Sequence, residues 1–586
     1  MLKIFSRLKP KEWLMIGASL AFVVVQVWLD LRVPELMGEV TILITAPGGS
    51  VSDVINVGLL MLLFAVASAV TMVFMGYLGA KVGASFSQGL RGDVFRRVES
   101  FSMEEMNAFS TASLITRTTN DVTQIQMLIA MGMSMFVRAP IMAFWALSRI
   151  SAGNWQFTAL TGILVAVVVV MISCLMAYAL PRFRKIQTLT DNLNRVTREN
   201  LSGIRVVRAY NAEGFQERKF EEANDEFTAT SLSVNRAMQI MNPVMRMVMT
   251  GVSLGIYWIG AFLIESAQVT DRMGIFSDMV VFSQLALQVV MSFMMLTMIF
   301  IMLPRVMVSV KRVNEVLDTE PTIVDGTIDE VPDGMIGEVE FRNVSFKYPD
   351  AEDYVLFDIS FKARRGETVA LVGSTGCGKS TVINLVPRFY DATEGQVLVN
   401  GVDVKEYTQE ALRNMLGYVP QRAALFSGTV ASNVAFGDNG KPSPAEDDVK
   451  TAVRIAQAAP FIEKMEDGYN GLISQGGTNV SGGEKQRISI ARAVCRKPEI
   501  YIFDDSFSAL DYKTDRALRA ALRNETEGAT SLIVAQRIGT IRDADRILVL
   551  DEGKLVGMGT HDELMKDCEV YQEIALSQLT AEELGV

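Results

Sequence analysis

The stretch LVGSTGCGKST, residues 371–381, sets Gly373, Gly378, Lys379 and Ser380 in the spacing GxxxxGK[ST]. Backbone amides of such a loop can point at phosphate oxygens because glycine leaves nothing in the way, a lysine supplies positive charge, and a serine hydroxyl is a magnesium ligand. Ser374, Thr375, Gly376, Cys377 and Thr381 complete the expected lining. ETVALV before the loop has the pattern of a strand and TVINLVPRFY after it that of a helix, the setting such a loop requires. A second apolar run, EIYIFDD, ends in acid, as expected of a neighbouring strand whose Asp504 helps hold the magnesium. The pair of segments marks a P-loop nucleotidase.

The elements that must position these residues lie in only part of the chain. At 586 residues the sequence is too long for one core. A charged fraction of 21% and a mean hydropathy of +0.26 point to membrane insertion. A net charge of −11 with pI near 5.0 argues against a nucleic-acid partner. Cys174, Cys377, Cys495 and Cys568 have no paired spacing and suggest neither zinc site nor disulfide framework. His561 is the one histidine, so no imidazole cluster exists for metal or acid–base work.

Long apolar stretches near Trp13–Leu31, Val54–Leu78, Leu128–Leu147, Phe157–Leu180, Met241–Ile264 and Asp278–Leu303 each approach the ~20 residues that cross a bilayer. The N-terminal segment has the basic and apolar regions of a signal peptide but no small-residue cleavage site, so the first span is expected to be retained, with a helix end at DLRVPELMG. Lys3, Arg7, Lys9 and Lys11 precede that span, whereas GEVTILITAPGGSVSD has no Lys or Arg, which places the N-terminus inside. Segments 80–126 and 182–237 are too polar to span and suit cytoplasmic helical extensions. EPTIVDGTIDEVPDG has the composition of a linker. Beyond it, GEVEFRNVSFKYP carries Val339, Phe341, Val344 and Phe346 as a half-buried strand or hairpin would. The expected organisation is a six-helix all-α transmembrane domain over 1–320 and an α/β P-loop nucleotide-binding domain over 326–586.

With NVSGGEKQRISIARA lying between the two phosphate-site motifs, and with FSTASLITRTTNDV and RENLSGIRVVRAYNAE in the membrane half, the chain resembles an ABC exporter half-transporter over nearly its whole length. The resemblance implies that Tyr348 stacks on adenine and that Gln421, in YVPQ, links the magnesium site, formed with Ser380 and Asp504, to the membrane helices. It implies that the signature Val480–Glu484, with Ser481, Gly482, Gly483 and Glu484, closes on ATP held by an opposite cassette, and that Asp511 is the D-loop acid. Two cassettes then sandwich two ATP molecules with Mg2+, and a second chain is needed.

Two positions depart from the resembled pattern. In FDDSFSALD, Asp505 stands where a catalytic Glu is usual, and in IVAQRIGTI, Gln536 replaces the switch His. Asp is one methylene shorter than Glu, and misplacement of about 1 Å can cost about 100-fold. Gln536 donates a hydrogen bond but cannot become cationic. Glu484 and Gln475 also differ from the usual Gln and Glu. The combination is similar to the degenerate half of heterodimeric multidrug exporters of the LmrC and BmrC type. The expected partner is a homologous half-transporter with an intact catalytic Glu and switch His; the alternatives are a slow homodimer and an ATP-binding gating subunit.

The last span carries Met291, Met294, Met295, Met298 and Met302 on one helical stripe, and the fifth carries Met238, Met241, Met245 and Met249. Flexible thioethers suit a promiscuous cavity for a hydrophobic small molecule or membrane lipid, and equally suit helix packing. Arg138 and Arg246, within apolar spans, fit either an anionic substrate group or a partner acid. The expected location is the plasma or inner membrane, with the nucleotide-binding domain cytoplasmic.

Overall fold

Six helices are long and apolar enough to cross a membrane: Pro10–Thr45, Val51–Glu99, Thr111–Ser151, Trp155–Ser202, Glu213–Ser266 and Arg272–Asp318. They belong to a computed structural model that describes residues 2–46, 50–269, 271–329, 337–525 and 528–578. The chain divides into two compact units, Met1–Glu99 with Thr111–Thr319, and Ser100–Ser110 with Glu320–Val586. The short helix Met103–Ala108 therefore belongs to the second unit. Glu105 fastens it there by accepting from the backbone N–H of Thr322 at 3.0 Å.

Helices of 48, 49 and 54 residues reach about 70–80 Å at 1.5 Å per residue, more than twice a hydrocarbon core, so most of the polar segments 80–126 and 182–237 continues the spans as extensions, residues 100–110 of the first being the exception. Five of the six helices contain an internal proline: Pro34, Pro140, Pro181, Pro243 and Pro304. Pro34 corrects the expectation of a helix end at DLRVPELMG, because the helix runs on to Thr45. Proline at 34 removes the N–H that would bond the Asp30 carbonyl one turn earlier. Gln288 Nε2 donates to that carbonyl at 3.4 Å from another helix. A neighbouring side chain thus satisfies the freed backbone group, as a membrane interior demands.

Close helix contact also follows from small residues. A Cβ on Gly79 would lie 2.9 Å from the Ala130 carbonyl oxygen, and one on Gly83 3.2 Å from the Gln126 carbonyl oxygen, so this small-xxx-small pair lets the second span approach the third. Near its start, after the α turn Thr111–Thr116, the third span has a π turn at Arg117–Asp121, where the buried Asp121 accepts from Ser309 Oγ at 2.7 Å.

In the second unit, the strands are β1 (Val339–Phe346), β2 (Leu356–Ala363), β3 (Thr368–Gly373), β4 (Glu394–Val399), β5 (Val402–Asp403), β6 (Leu416–Val419), β7 (Gly428–Thr429), β8 (Leu472–Ile473), β9 (Ile500–Asp504), β10 (Thr530–Val534), β11 (Arg546–Asp551) and β12 (Lys554–Gly559). They form sheets ordered β2-β1-β4-β5, β12-β11-β3-β10-β9-β6 and β7-β8. β1 pairs antiparallel with β2, and Val339, Phe341, Val344 and Phe346 are all buried. The three-residue step from Phe341 to Val344 breaks the period of two, and the register shifts there, with Asn343 in the left-handed region (φ 49°).

Within the six-stranded sheet, β11, β3, β10, β9 and β6 are mutually parallel. Their interiors are close to continuously apolar, as a sheet buried on both faces requires. The linker is described as far as residue 329; Gly326 N–H donates to the Tyr407 carbonyl at 2.9 Å, and the rest of EPTIVDGTIDEVPDG lies outside the described residues.

Candidate nucleotide site

Four neighbouring parallel strands, β3, β10, β9 and β6, deliver the predicted phosphate-site residues at their carboxyl ends. β3 leads into the glycine loop, β10 into Gln536, β9 into Asp504 and Asp505, and β6 into Gln421. Ligands bind at this edge of α/β sheets because the following loops and helix starts converge there.

The loop has no room for other residues at two points. A Cβ on Gly373 would stand 2.0 Å from the Leu550 carbonyl oxygen. Gly378, the residue before the helix Lys379–Leu385, has φ 98°, and its Cβ would meet Leu356 Cδ2 at 2.6 Å. Ser374, Thr375, Gly376 and Cys377 form the turn between them. Lys379 Nζ donates to the carbonyls of Gly373 (2.8 Å) and Ser374 (2.7 Å) and contacts Cys377 Sγ at 3.6 Å, so the ammonium is held in the loop it would share with phosphate.

Ser380 Oγ donates to Asp504 Oδ1 at 2.8 Å. This places a hydroxyl and a carboxylate oxygen together, a pairing that fits a hard cation such as Mg2+. Burial pushes the Asp504 carboxyl above its ordinary range, while the Ser380 hydrogen bond opposes that shift and the neighbouring Asp505 charge adds to it. Thr381 Oγ1 lies 3.0 Å from Tyr348 Oη. Tyr348 stands edge-on to Phe346 (4.9 Å between centroids) and to Tyr390 (5.2 Å), and Tyr390 Oη accepts from Asn107 Nδ2 at 3.1 Å. Neither Tyr390 nor Asn107 was legible as a site neighbour, since nothing local in the sequence joins positions 283 residues apart.

Asp505 is buried and left-handed (φ 45°), with its N–H donating to the Val534 carbonyl at 3.0 Å. Asp tolerates that conformation better than most residues. Its Oδ2 accepts from Gln536 Nε2 at 2.9 Å and from Gln421 Nε2 at 3.4 Å. Burial raises its proton affinity and the Gln421 hydrogen bond opposes the rise. The two residues that depart from the resembled pattern thus bond each other.

The signature lies elsewhere. Ser481 precedes the helix Gly482–Cys495; its Oγ accepts from the Glu484 N–H at 3.4 Å, and Glu484 Oε2 accepts from the Ser481 N–H at 2.8 Å. This is a capping box, a signal that S-G-G-E carries in the sequence and that accounts locally for Glu484. Gly482 and Gly483 form the first turn. No hydrogen bond among the described residues joins Ser481–Glu484 to the phosphate loop. Asp511 accepts from Thr514 N–H (3.0 Å) and Thr514 Oγ1 (2.7 Å), which hold its carboxyl below the usual range.

In the membrane unit, Arg138 Nη2 donates to Asp30 Oδ2 at 2.9 Å, and Ser68 Oγ also donates to Asp30. Arg138 is thereby given the partner acid, while Arg246 is exposed. The methionine stripe divides: Met245 is buried in the helix core, Met294, Met241 and Met249 are half-buried against that core, Met295 and Met302 are half-buried, and Met291 and Met298 are exposed.

A transmembrane unit of six apolar helices joined to a P-loop sheet of this order defines a membrane-bound ATPase of exporter architecture. The ABC transporter transmembrane region matches residues 16–293 and the ABC transporter domain matches residues 356–508. An uncharacterized ABC transporter ATP-binding protein of Mycobacterium tuberculosis (strain ATCC 25618 / H37Rv) is 39% identical over 538 residues, covering 92% of this chain and 91% of that protein. The ATP-dependent lipid A-core flippase of Pseudomonas fluorescens (strain Pf0-1) is 31% identical over 526 residues, covering 90% and 86%. In fold, the chain matches a bacterial Atm1-family ABC exporter solved with ATP bound, with TM-score 0.79 and 24% identity over 96% of this chain and 98% of that one. The chain belongs to the ABC transporter family, as a multi-pass membrane protein with an ATPase domain.

Proposed function

We propose that this chain is one half of a heterodimeric ABC exporter, holding ATP at its own phosphate loop while completing the hydrolytic site of a homologous partner with its signature. The observation that carries this is the double amide contact on Asp505: Gln536 and Gln421 both donate to one oxygen of a carboxylate already a methylene shorter than Glu. Burial makes Asp505 more basic, but its reach is short and its oxygen is engaged, and phosphoryl transfer depends on position. Gln536 supplies no cationic charge at the γ-phosphate.

Lys379 and the loop amides bind the phosphates, and Tyr348 stacks on the adenine. Ser380, Asp504 and Gln421 would hold Mg2+, which when bound neutralises charge on the β- and γ-phosphates. Ser481, Gly482 and Gly483 are intact for the partner's ATP, with Asp511 beside that interface. The N-terminus and nucleotide domain face the cytoplasm of a plasma or inner membrane. The cargo is a hydrophobic small molecule or lipid-like amphiphile: the exposed Met291 and Met298 and the likeness to a lipid A-core flippase support it.

The test is the ATPase rate and substrate flux of this chain alone and co-expressed with a homologous half. Activity that needs the partner, and disappears when the partner's catalytic Glu is replaced, is the expected result. Equal turnover by this chain alone would establish a homodimer with Asp505 as a working residue, and nucleotide-dependent conductance without turnover would establish a gating subunit.

A further inference from the structure

The C-terminal helix Glu569–Leu576 ends two residues before Gln578, and that side chain reaches back to the loop carrying Gln536. Gln578 Nε2 donates to the Gln536 carbonyl at 2.7 Å, while Gln578 Oε1 accepts from the Ile538 N–H at 2.9 Å. One amide therefore grips both sides of Arg537. It supplies a cap for the short helix Ile538–Ile541, whose preceding residue, Arg537, makes no side-chain cap of its own. The loop continues into the site on both sides: Gln536 Nε2 donates to Asp505 Oδ2, and Arg537 donates to the Ser508 carbonyl at 3.3 Å.

The two segments also share a core. Ala535, Ile538 and Ile541 pack with Tyr571 and Ala575 of the C-terminal helix over Ala370 and Val372 of β3. Apolar packing fixes where the helix lies without fixing the peptide orientation of the loop above it, because burial is not directional. The Gln578 amide adds the directional part. Two hydrogen bonds at adjoining backbone positions set the torsions that aim the Gln536 side chain.

We infer that Gln578 is a positioning residue for the switch loop, coupling the C-terminal helix to the Gln536–Asp505 contact and so to recognition of the γ-phosphate. This role rests on the nucleotide site proposed above but not on its slow hydrolysis or on a partner chain. ATP and ADP differ at this site only by the γ-phosphate, so their affinities separate aiming of Gln536 from general damage. In the full-length chain, Gln578→Ala is expected to weaken Mg·ATP binding by about 3- to 10-fold, the range expected for losing one or two net hydrogen bonds, and to leave ADP within about 2-fold.

Because Gln578 acts through the Gln536 side chain, Gln578→Ala made in a Gln536→Ala background should change ATP affinity no further. Gln578→Leu, which keeps the bulk and loses both hydrogen bonds, should behave as the alanine does. Hydrogen exchange at the Ile538 amide should speed up in both single variants. Unchanged ATP affinity, an equal loss for ADP, or the same loss without the Gln536 side chain would each overturn the role. ADP binding at the wild-type level shows that the variants are folded. Equal turnover by the unaltered chain alone would count against the proposed function, and an ATP-selective loss in Gln578→Ala would still uphold the role of Gln578.

Discussion

The two sides of the nucleotide site are built from the same sheet by opposite means. On the gripping side, the Lys379 ammonium donates to the loop carbonyls of Gly373 and Ser374 at 2.8 and 2.7 Å, and Ser380 Oγ donates to the buried Asp504 carboxylate at 2.8 Å. On the hydrolytic side, Asp505, Gln536 and Gln421 bring one carboxylate between two neutral amides at 2.9 and 3.4 Å. Charge-assisted contacts on the first side suit tight binding of a polyanion. Neutral amides on the second can orient a phosphate but add no charge where charge develops in the transition state. The difference teaches that one sheet edge can set charged contacts beside neutral ones on adjoining strands, and the proposed division between binding and hydrolysis rests on that contrast.

The strongest way to break the comparison is to rebuild the second side. Asp505→Glu with Gln536→His should raise turnover at this site by up to about 100-fold, the scale associated with an ångström of misplacement. Single-turnover hydrolysis by full-length protein checks this, and an unaltered rate in a folded variant would remove Asp505 as the limiting feature. Disabling the first side should cost slightly less: Lys379→Ala is expected to weaken ATP binding by about 10- to 100-fold, from the loss of a charge-assisted contact, with thermal unfolding in the absence of nucleotide little changed.

A smaller effect should come from the sole histidine, whose ring bonds Tyr571 and not Lys379, Asp504 or Asp505. His561 Nδ1 lies 2.8 Å from Tyr571 Oη, and burial, with help from Arg542, lowers its proton affinity below the ordinary 6.5. The unfolded chain then binds the proton more readily than the folded one. Stability from this group is full above about pH 6.5 and is lost as pH falls towards the lower folded value. Thermal melts across that range should show a slope that His561→Gln reduces, whereas ATP affinity at neutral pH should be unaffected.

The smallest effect is expected at the signature. Glu484→Gln keeps an acceptor for the Ser481 N–H and therefore the capping box, so stability should change by less than about 0.5 kcal/mol and partner-dependent turnover should persist. A large loss of turnover at unchanged stability would show that Glu484 acts beyond its own helix.

Much of this was legible because it is local. The loop 373–380 is contiguous, and its chemistry follows from residue types at fixed spacing. The six spans follow from length and hydropathy. Proline 34 misled for the same local reason: its missing N–H predicts a helix end, and only the distant Gln288 shows why the helix continues. Arg138 announced itself as a costly charge, but the sequence left open whether it would meet a substrate or the Asp30 carboxylate 108 residues away.

By itself, the sequence determined the phosphate loop, the two substituted positions, the membrane character of the first half and the capping residues, all of which depend on neighbours within a few positions. Only the tertiary structure decided that β3, β10, β9 and β6 would stand side by side, putting Gln421 and Gln536 on the same oxygen of Asp505, and that Gln578 would reach back 42 residues to the Gln536 carbonyl. A strand's pattern reports which faces are buried. Its neighbours are selected by packing of the whole sheet, and that information is spread over the chain.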